Sequence, residues 1–198
     1  MSQLIETIRV QKGEFYHLSY HEQRMQRVWK GLFNISPPWS LQEVLSKTSV
    51  PLNGLYKCRL TYDTKVKDVA FEPYEPRRVG SLKMIYNDTI SYDHKFKDRT
   101  VLNELFSQRG DKDDVLIIKN KLVTDTSYAN ILFRKGSEWF TPSSCLLQGT
   151  TRQRLIDEKK IKVEEISVDM ITSFESFRII NSMLLDEAPE ITVGHIIN

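Results

Sequence analysis

One lysine stands just before a helical pattern, where an amine could act as a nucleophile. The segment SYDHKFKDRTVLNEL covers residues 91–105, and Lys95 lies in it between a histidine and a phenylalanine. Apolar residues take up helical spacing only after Asp98. An amine that is partly removed from water near other positive charges has a lowered pKa and is more reactive. Taken alone, the same pattern is also that of an ordinary surface lysine.

A second segment, LLQGTTRQRL, has the residues of a phosphate-binding helix start. Gly149 is followed by Thr150 and Thr151 where a helical pattern begins. The first turn of a helix presents backbone N–H groups without helical partners, at the positive end of the helix dipole. These groups and the two hydroxyls could hold a phosphate. An ordinary threonine-rich helix start is the alternative interpretation.

Two further residues, an arginine and an aspartate, could act together with this lysine and this helix start. Arg24 lies near the start of a predicted helix, and Asp125 interrupts a β-rich stretch, LVTDTSYANILF. Alone, each is typical of an exposed or turn residue. An amine, a phosphate cradle, a guanidinium and an acid are together what pyridoxal 5′-phosphate (PLP) requires, since a lysine binds it covalently and an acid keeps its ring nitrogen protonated. The sequence therefore predicts a PLP site.

Composition argues against several other classes of protein. Lys and Arg number 28 against 26 Asp and Glu, a formal charge of +2, and they form no basic stripe that would indicate nucleic-acid binding. No apolar run approaches the roughly 18 residues of a membrane span. Cys58 and Cys145 lie far apart without a CxxC motif, which favours reduced thiols in the cytoplasm. His17 and His21 do not share a helical face, so no metal site is predicted.

The first part of the chain predicts a small α/β lobe over residues 1–77. Its opening strands form a hairpin about Lys12-Gly13, and a helix follows with Ser19 and Glu22 as a capping box. A second helix begins at Ser40, capped with Glu43. The alternating strand YKCRLTYD then pairs with DVAFEPY, and EPRRVG (75–80) is a plausible hinge.

The remainder, residues 78–198, predicts a larger β-rich lobe that carries Lys95. A helix is expected from Asp98 to Gly110, followed by strands joined at tight turns such as Asn120-Lys121 and Lys135-Gly136. The expected architecture is therefore α+β, with two lobes and a cleft between them.

Several blocks, in order along nearly the whole chain, resemble the class IV aminotransferase family. These PLP enzymes of fold type IV include branched-chain aminotransferase, D-amino acid aminotransferase and aminodeoxychorismate lyase. The similar blocks are IETIRVQKGEFYHLSYHEQRM, HKFKDR, LVTDTSYANILFRKG, LLQGTTRQRL and FRIINSM. The resemblance implies the two-lobe fold of D-amino acid aminotransferase, with PLP in the interlobe cleft.

The resemblance also implies roles for individual residues. Lys95 matches the catalytic lysine that carries the cofactor, four residues before Arg99, and Lys97 is its local competitor. Arg24 matches the arginine that binds the phosphate. Further matches to cofactor-binding positions are Thr150, Thr151, Ser182 and, where the family has a glutamate, the shorter Asp125.

Two positions bear on the substrate. Thr7 matches a position where the lyases have threonine and branched-chain aminotransferases have glycine, and Arg59 matches a basic position that faces the substrate. A solvated strand face is the alternative for Arg59, and Thr7 also suits a strand.

Three functions remain open at this point. The first is a lyase like aminodeoxychorismate lyase, which eliminates pyruvate to leave 4-aminobenzoate. The second is an aminotransferase for branched-chain or D-amino acids, and the third is a degenerate PLP-binding module without catalysis. The chain begins close to the first block, so part of the substrate wall is expected to be missing or to come from the second subunit of a homodimer.

Overall fold

The computed structural model describes residues 2–198 and divides into two compact units. The first unit runs to Pro76 and also includes His94–Asp98, whereas the second consists of Arg77–Asp93 and Arg99–Asn198. The division at Pro76 falls inside the predicted hinge EPRRVG.

The segment that carries Lys95 belongs to the first unit, whereas the sequence placed it in the second lobe. Backbone pairing explains this difference. The N–H of Ile5 donates to the carbonyl of Lys95 at 2.9 Å, and the N–H of Lys97 donates to the carbonyl of Gln3 at 2.8 Å. These bonds attach the segment to the first strand of the chain, a partner that local sequence patterns do not indicate.

The first unit contains an antiparallel sheet in the order β2-β1-β3-β4 and two helices. Its elements are β1 (Leu4–Gln11), β2 (Glu14–Phe15), α1 (Leu18–Gly31), α2 (Leu41–Leu45), β3 (Leu55–Tyr62) and β4 (Val66–Pro73). Lys12 and Gly13 both have positive φ, which confirms the predicted hairpin turn. The predicted pairing of YKCRLTYD with DVAFEPY is confirmed as β3 with β4.

Helix α1 packs its apolar side into the core of this unit. Met25, Val28 and Trp29 are buried in one cluster with Leu4 and Ile8 of β1. Period-2 alternation along β1 therefore places one side of the strand against the helix.

The start of α1 differs from the prediction. The helix begins at Leu18 after His17, without a side-chain cap, so the expected box of Ser19 and Glu22 does not form. The Glu22 carboxylate instead accepts the N–H of Leu41 at 2.7 Å, at the start of α2. The other predicted box, at Ser40, is confirmed.

The second unit is built on a mixed sheet in the order β10-β9-β8-β7-β6-β5-β13, with β11 beside β8 and β12. Its elements are β5 (Leu82–Tyr86), α3 (Thr100–Ser107), β6 (Asp114–Lys119), β7 (Leu122–Thr126), β8 (Asn130–Lys135), β9 (Glu138–Pro142), α4 (Thr150–Asp157), β10 (Lys162–Glu164), β11 (Ser176–Ile180), β12 (Ile191–Thr192) and β13 (Ile196–Ile197), with 3-10 turns at Val168–Ser173 and Val193–His195. Helix α3 is shorter at both ends than the predicted 98–110.

Two features of this sheet bring polar residues together. β7 and β8 are antiparallel and joined by a short turn, so Asp125 and Asn130 are direct cross-strand partners. Helix α4 connects β9 to β10, which run parallel, and its first turn follows the segment 143–149. Within residues 2–198, no helix has both the length and the apolar character needed to cross a membrane.

Candidate active site

Lys95 and Lys97 lie in different surroundings. Lys95 is half-buried, and its charge acts on His21, whereas Lys97 is exposed and donates from Nζ to Oε1 of Gln3 at 3.0 Å. A half-buried amine beside other polar groups is better suited to covalent chemistry than an exposed one. The surroundings therefore favour Lys95 over Lys97 as the nucleophile.

A buried ion pair lies between β1 and α1 in the same unit. Glu6 is fully buried on the side of β1 that faces the core, and Arg24 of α1 is 7% exposed. Arg24 donates from Nε to Oε1 of Glu6 at 2.9 Å and from Nη2 to Oε2 at 2.5 Å. Burial alone would raise the pKa of Glu6, but Arg24 and a hydrogen bond from His21 outweigh it and lower the pKa to about 2. Glu6 is therefore a charged group at neutral pH.

His21 lies one helical turn before Arg24 and contacts the same carboxylate. Its Nδ1 is 2.5 Å from Oε2 of Glu6, and the residue is 1% exposed. Burial lowers the pKa of His21 in spite of the attraction of Glu6, and the charges of Arg24 and Lys95 lower it further. A neutral His21 then donates its Nδ1 proton to Glu6.

Arg24 was predicted to bind a phosphate, and its orientation restricts how it can. The guanidinium edge formed by Nε and Nη2 is bidentate with Glu6. The edge of the guanidinium that carries Nε and Nη2 is therefore occupied by Glu6 and not by a phosphate. Such an arrangement would have Glu6 fix the plane of the guanidinium and leave its position set before any anion arrives.

Thr7 and Arg59 share one face of the first sheet. They are cross-strand partners in the pairing of β1 with β3, so their side chains point to the same side, opposite to Glu6. Arg59 is half-exposed, and its Nε lies 3.5 Å from Oε1 of Glu72, which also binds Lys57 at 2.6 Å. The two residues predicted to contact the substrate are therefore adjacent.

The start of α4 in the second unit has the properties of an anion-binding helix terminus. Gly149 is its N-cap and no side chain caps the helix there. Thr150 and Thr151, the first two helical residues, are 4% and 3% exposed. Arg152 does not belong to this group, because it donates to the hydroxyl of Thr141 at 3.2 Å and the carbonyl of Pro142 at 2.9 Å. The residues present therefore fit a phosphate cradle made of backbone N–H groups and hydroxyls.

Asp125 is buried close to this helix start. Its Oδ1 accepts Nδ2 of Asn130 at 2.7 Å, and its Oδ2 accepts the backbone N–H of Leu147 at 2.9 Å. Burial raises the pKa of Asp125 to about 6 against the effect of these donors and of Arg152. Above that pH the side chain is a carboxylate whose two oxygens both bind protein groups.

Ser182 lies in the turn after β11. The Oδ1 of Asn181 accepts the N–H groups of Met183 and Leu184, each at 2.9 Å, which folds the chain tightly around Ser182. The residue is half-buried, and its role toward a phosphate stays a prediction.

Three residues of these networks were missed by sequence reasoning. Glu6 occupies a core register on β1, between Leu4 and Ile8, and an acid at such a position was a usable signal. His21 is three residues before Arg24, so the two share a helical face. Asn130 gave no local signal, because its importance comes from contacts across the sheet.

We expect Gly149→Ala to disrupt the start of α4. A Cβ at this position would lie 2.0 Å from Oδ1 of Asn130, far inside van der Waals contact. The side chain of Asn130 is itself held by Asp125, so it cannot yield at low cost. Overpacking of this kind costs about 1–3 kcal/mol, which denaturant unfolding would measure. Gly194→Ala is the matched control, because its Cβ would meet nothing within 4 Å; equal losses in both variants would contradict the prediction.

Comparison with known proteins gives a consistent result. A family model described as "Amino-transferase class IV" matches residues 3–185. An uncharacterized protein of Haemophilus influenzae is 32% identical over 185 residues, which cover 92% of this chain and 98% of that protein. A crystal structure from Haemophilus somnus 129pt, named as a candidate 4-amino-4-deoxychorismate lyase, is 33% identical with a TM-score of 0.86 and covers 92% of this chain and 97% of that one.

A more distant structure extends the fold comparison. A hypothetical aminotransferase from Mycobacterium tuberculosis, in its PLP-bound form, has a TM-score of 0.76 at 17% identity and covers 100% of this chain and 81% of that one. The predicted mixed fold of type IV enzymes is thereby confirmed.

Proposed function

Because the chain belongs to the class IV aminotransferase family, whose members are PLP-dependent enzymes, we propose that it is a PLP-dependent lyase that eliminates pyruvate from aminodeoxychorismate to leave 4-aminobenzoate. The observation that carries this proposal is the similarity to the candidate lyase of Haemophilus somnus, at 33% identity over nearly the full length of both chains. Thr7, at the position where the lyases have threonine, supports the same choice.

The family also contains aminotransferases, and solved structures of that kind resemble this chain at lower identity. The second candidate is therefore transamination of a branched-chain or D-amino acid. The two reactions need the same cofactor residues, so the difference must be found in the reaction itself.

Each proposed cofactor residue has a physical role. Lys95 would supply the amine that binds the cofactor covalently and would move a proton at the substrate carbon. In the second unit, the first-turn N–H groups and hydroxyls of Thr150 and Thr151 would bind the phosphate, with Ser182 as a further ligand. Arg24, in the first unit, keeps the phosphate-binding role that the family resemblance implies. When bound, PLP would supply an electron sink for the reaction at the substrate carbon.

The substrate would be bound by a different set. Thr7 offers a hydroxyl and Arg59 a cation on one sheet face, where Lys57 adds a second positive charge near Glu72. A face with more basic than acidic groups suits a substrate that carries carboxylates. Aminodeoxychorismate carries them, which fits the proposed reaction.

The decisive experiment separates elimination from transamination. A lyase should release pyruvate from aminodeoxychorismate without any added keto acid, because no amino acceptor takes part. Single L- and D-amino acids should leave the absorbance of the bound cofactor largely unchanged. A protein that instead bleaches rapidly with one amino acid and recovers with 2-oxoglutarate would be an aminotransferase.

Two further measurements test whether the chain binds PLP and whether it forms a dimer. A purified protein that stays colourless when PLP is added would be a degenerate module and would remove both enzymatic proposals. A homodimer is also proposed; light scattering that reports the mass of one 23.2 kDa chain would oppose it.

A further inference from the structure

Asp125 is bound on both of its carboxylate oxygens by groups of its own unit. Oδ1 accepts from Asn130 at 2.7 Å and Oδ2 accepts from the N–H of Leu147 at 2.9 Å, while the residue is 5% exposed. The family resemblance instead implied a contact from this position to the ring nitrogen of PLP. An aspartate side chain is one methylene shorter than the family's glutamate, and here its two oxygens bind the side chain of Asn130 and the backbone of Leu147.

Asn130 completes a closed arrangement around the chain that leads into α4. Its Nδ2 donates to Asp125 and also to the carbonyl of Leu147 at 2.9 Å. Asp125 and Asn130 together therefore hold both the N–H and the C=O of Leu147. Two residues further on, Gly149 lies so close to Oδ1 of Asn130 that no side chain fits there.

We propose that Asp125 and Asn130 are positioning residues that fix the segment 147–149, here called the α4 lead, and through it the first turn of α4. The pair is rigid because the two residues are cross-strand partners in adjacent strands and are both buried. An aspartate suits this position because its carboxylate reaches the N–H of Leu147 while it binds Asn130. A glutamate would carry its carboxylate one bond too far and crowd the same space.

The pair of Asp125 and Asn130, here called the clamp, depends on the proposed function in one respect only. If Thr150 and Thr151 hold the cofactor phosphate, then the clamp sets the direction of the N–H groups that receive it before the cofactor binds. The clamp itself is a property of the polypeptide and can be measured without any cofactor.

The test is hydrogen exchange at the amide of Leu147 in the full-length, cofactor-free protein. Loss of a charge-assisted hydrogen bond is expected to speed exchange by about 10- to 100-fold. We expect this acceleration in Asp125→Glu, together with weaker retention of added PLP measured by equilibrium dialysis. Asp88→Glu is the matched control, because Asp88 accepts the N–H of Asn120 at 2.7 Å in a different, exposed turn of the same unit; exchange at Leu147 should be unchanged in it.

Unchanged exchange at Leu147 would contradict the proposal. If Asp125→Glu leaves exchange at Leu147 unchanged and retains PLP as well as or better than the unchanged chain, segment 147–149 does not depend on Asp125 and the proposal is wrong. Should Asp125→Glu not fold, Asp125→Asn provides the same measurement, since it keeps the size of the side chain but removes the charge that accepts the N–H of Leu147. Unchanged exchange at Leu147 in Asp125→Asn would overturn the clamp.

The two proposals can fail separately. A chain that takes up no PLP but shows faster exchange at Leu147 in the variants would contradict the proposed enzyme and leave the clamp in place. A chain that binds PLP but shows equal exchange at Leu147 in all variants would contradict the clamp and leave the proposed enzyme in place.

Discussion

Replacing Lys95 by alanine is expected to reduce turnover by on the order of 10³-fold or more, because the amine is assigned both the covalent bond to the cofactor and the proton transfer at the substrate. The half-buried position of Lys95 and its electrostatic contact with His21 support this assignment. The folded chain should tolerate the change, since the backbone carbonyl of Lys95, and not its side chain, makes the bond to Ile5.

Borohydride reduction gives a second measurement that needs no substrate. It should fix the cofactor to a single peptide, the one that contains Lys95, and Lys95→Ala should trap none. Lys97→Ala is the control two residues away, and its loss should cost only the exposed hydrogen bond to Gln3. Cofactor trapped at Lys97 would show that Lys97 is the lysine that binds the cofactor. Full activity in Lys95→Ala would show that Lys95 is not required.

Local patterns were sufficient for much of the fold. The hairpin turn at Lys12 and Gly13 and the capping box at Ser40 depend on residues within a few positions of each other, and both were predicted. Lys95, Arg24, Thr150 and Thr151 were singled out by residue type and spacing, and similarity in sequence blocks gave them their roles. They lie on a half-buried segment, a buried helix face and a helix start, and their roles stay predictions until the experiments above are done.

What local patterns could not supply were contacts between distant segments. The capping box at Ser19 does not form because α1 already begins at Leu18, and Glu22 instead accepts the N–H of Leu41, in another helix. The segment with Lys95 joined the first unit because it pairs with residues more than 80 positions earlier, as Lys97 does with Gln3. The clamp on Leu147 joins two strands, β7 and β8, and the loop before α4, which only the folded chain brings together.

The ion pair of Glu6 and Arg24 should give the largest effect on stability. Arg24→Ala leaves the Glu6 carboxylate at 0% exposure without its cation, and loss of one partner from a buried pair costs about 3–5 kcal/mol. Denaturant unfolding of the cofactor-free protein would measure this loss. Arg27→Ala is the control on the same helix, since Arg27 is exposed and its loss should stay within about 0.5 kcal/mol.

The origin of the loss can be tested with a double-mutant cycle. If the uncompensated charge of Glu6 causes it, then Glu6→Gln/Arg24→Ala should be more stable than the sum of the two single losses implies. Additive losses would mean that Arg24 stabilises the unit by packing. Retention of PLP tests the proposed role of Arg24 as a phosphate ligand, separately from stability. Glu6→Gln keeps the guanidinium and Arg24→Ala removes it. The alanine variant should therefore bind PLP less well, even when its stability is matched with a compensating osmolyte.

The pH dependence gives the same ion pair an independent signature. The pKa of Glu6 is lowered from 4.5 to about 2 in the folded chain, so its ionisation stabilises the fold fully above pH 4.5 and loses this contribution as the pH falls toward 2. A shift of this size corresponds to about 3 kcal/mol. Asp125, with its pKa raised to about 6, acts in the opposite direction as the pH rises from about 4 to 6, which would mask part of the effect in the unchanged chain. Asp125 contributes equally to the unchanged chain and to Glu6→Gln, so its contribution cancels in the difference between their unfolding free energies. This difference should shrink as the pH falls from 4.5 to 2. A difference that stays constant over this range would show that the carboxylate of Glu6 is not held ionised by Arg24 and His21.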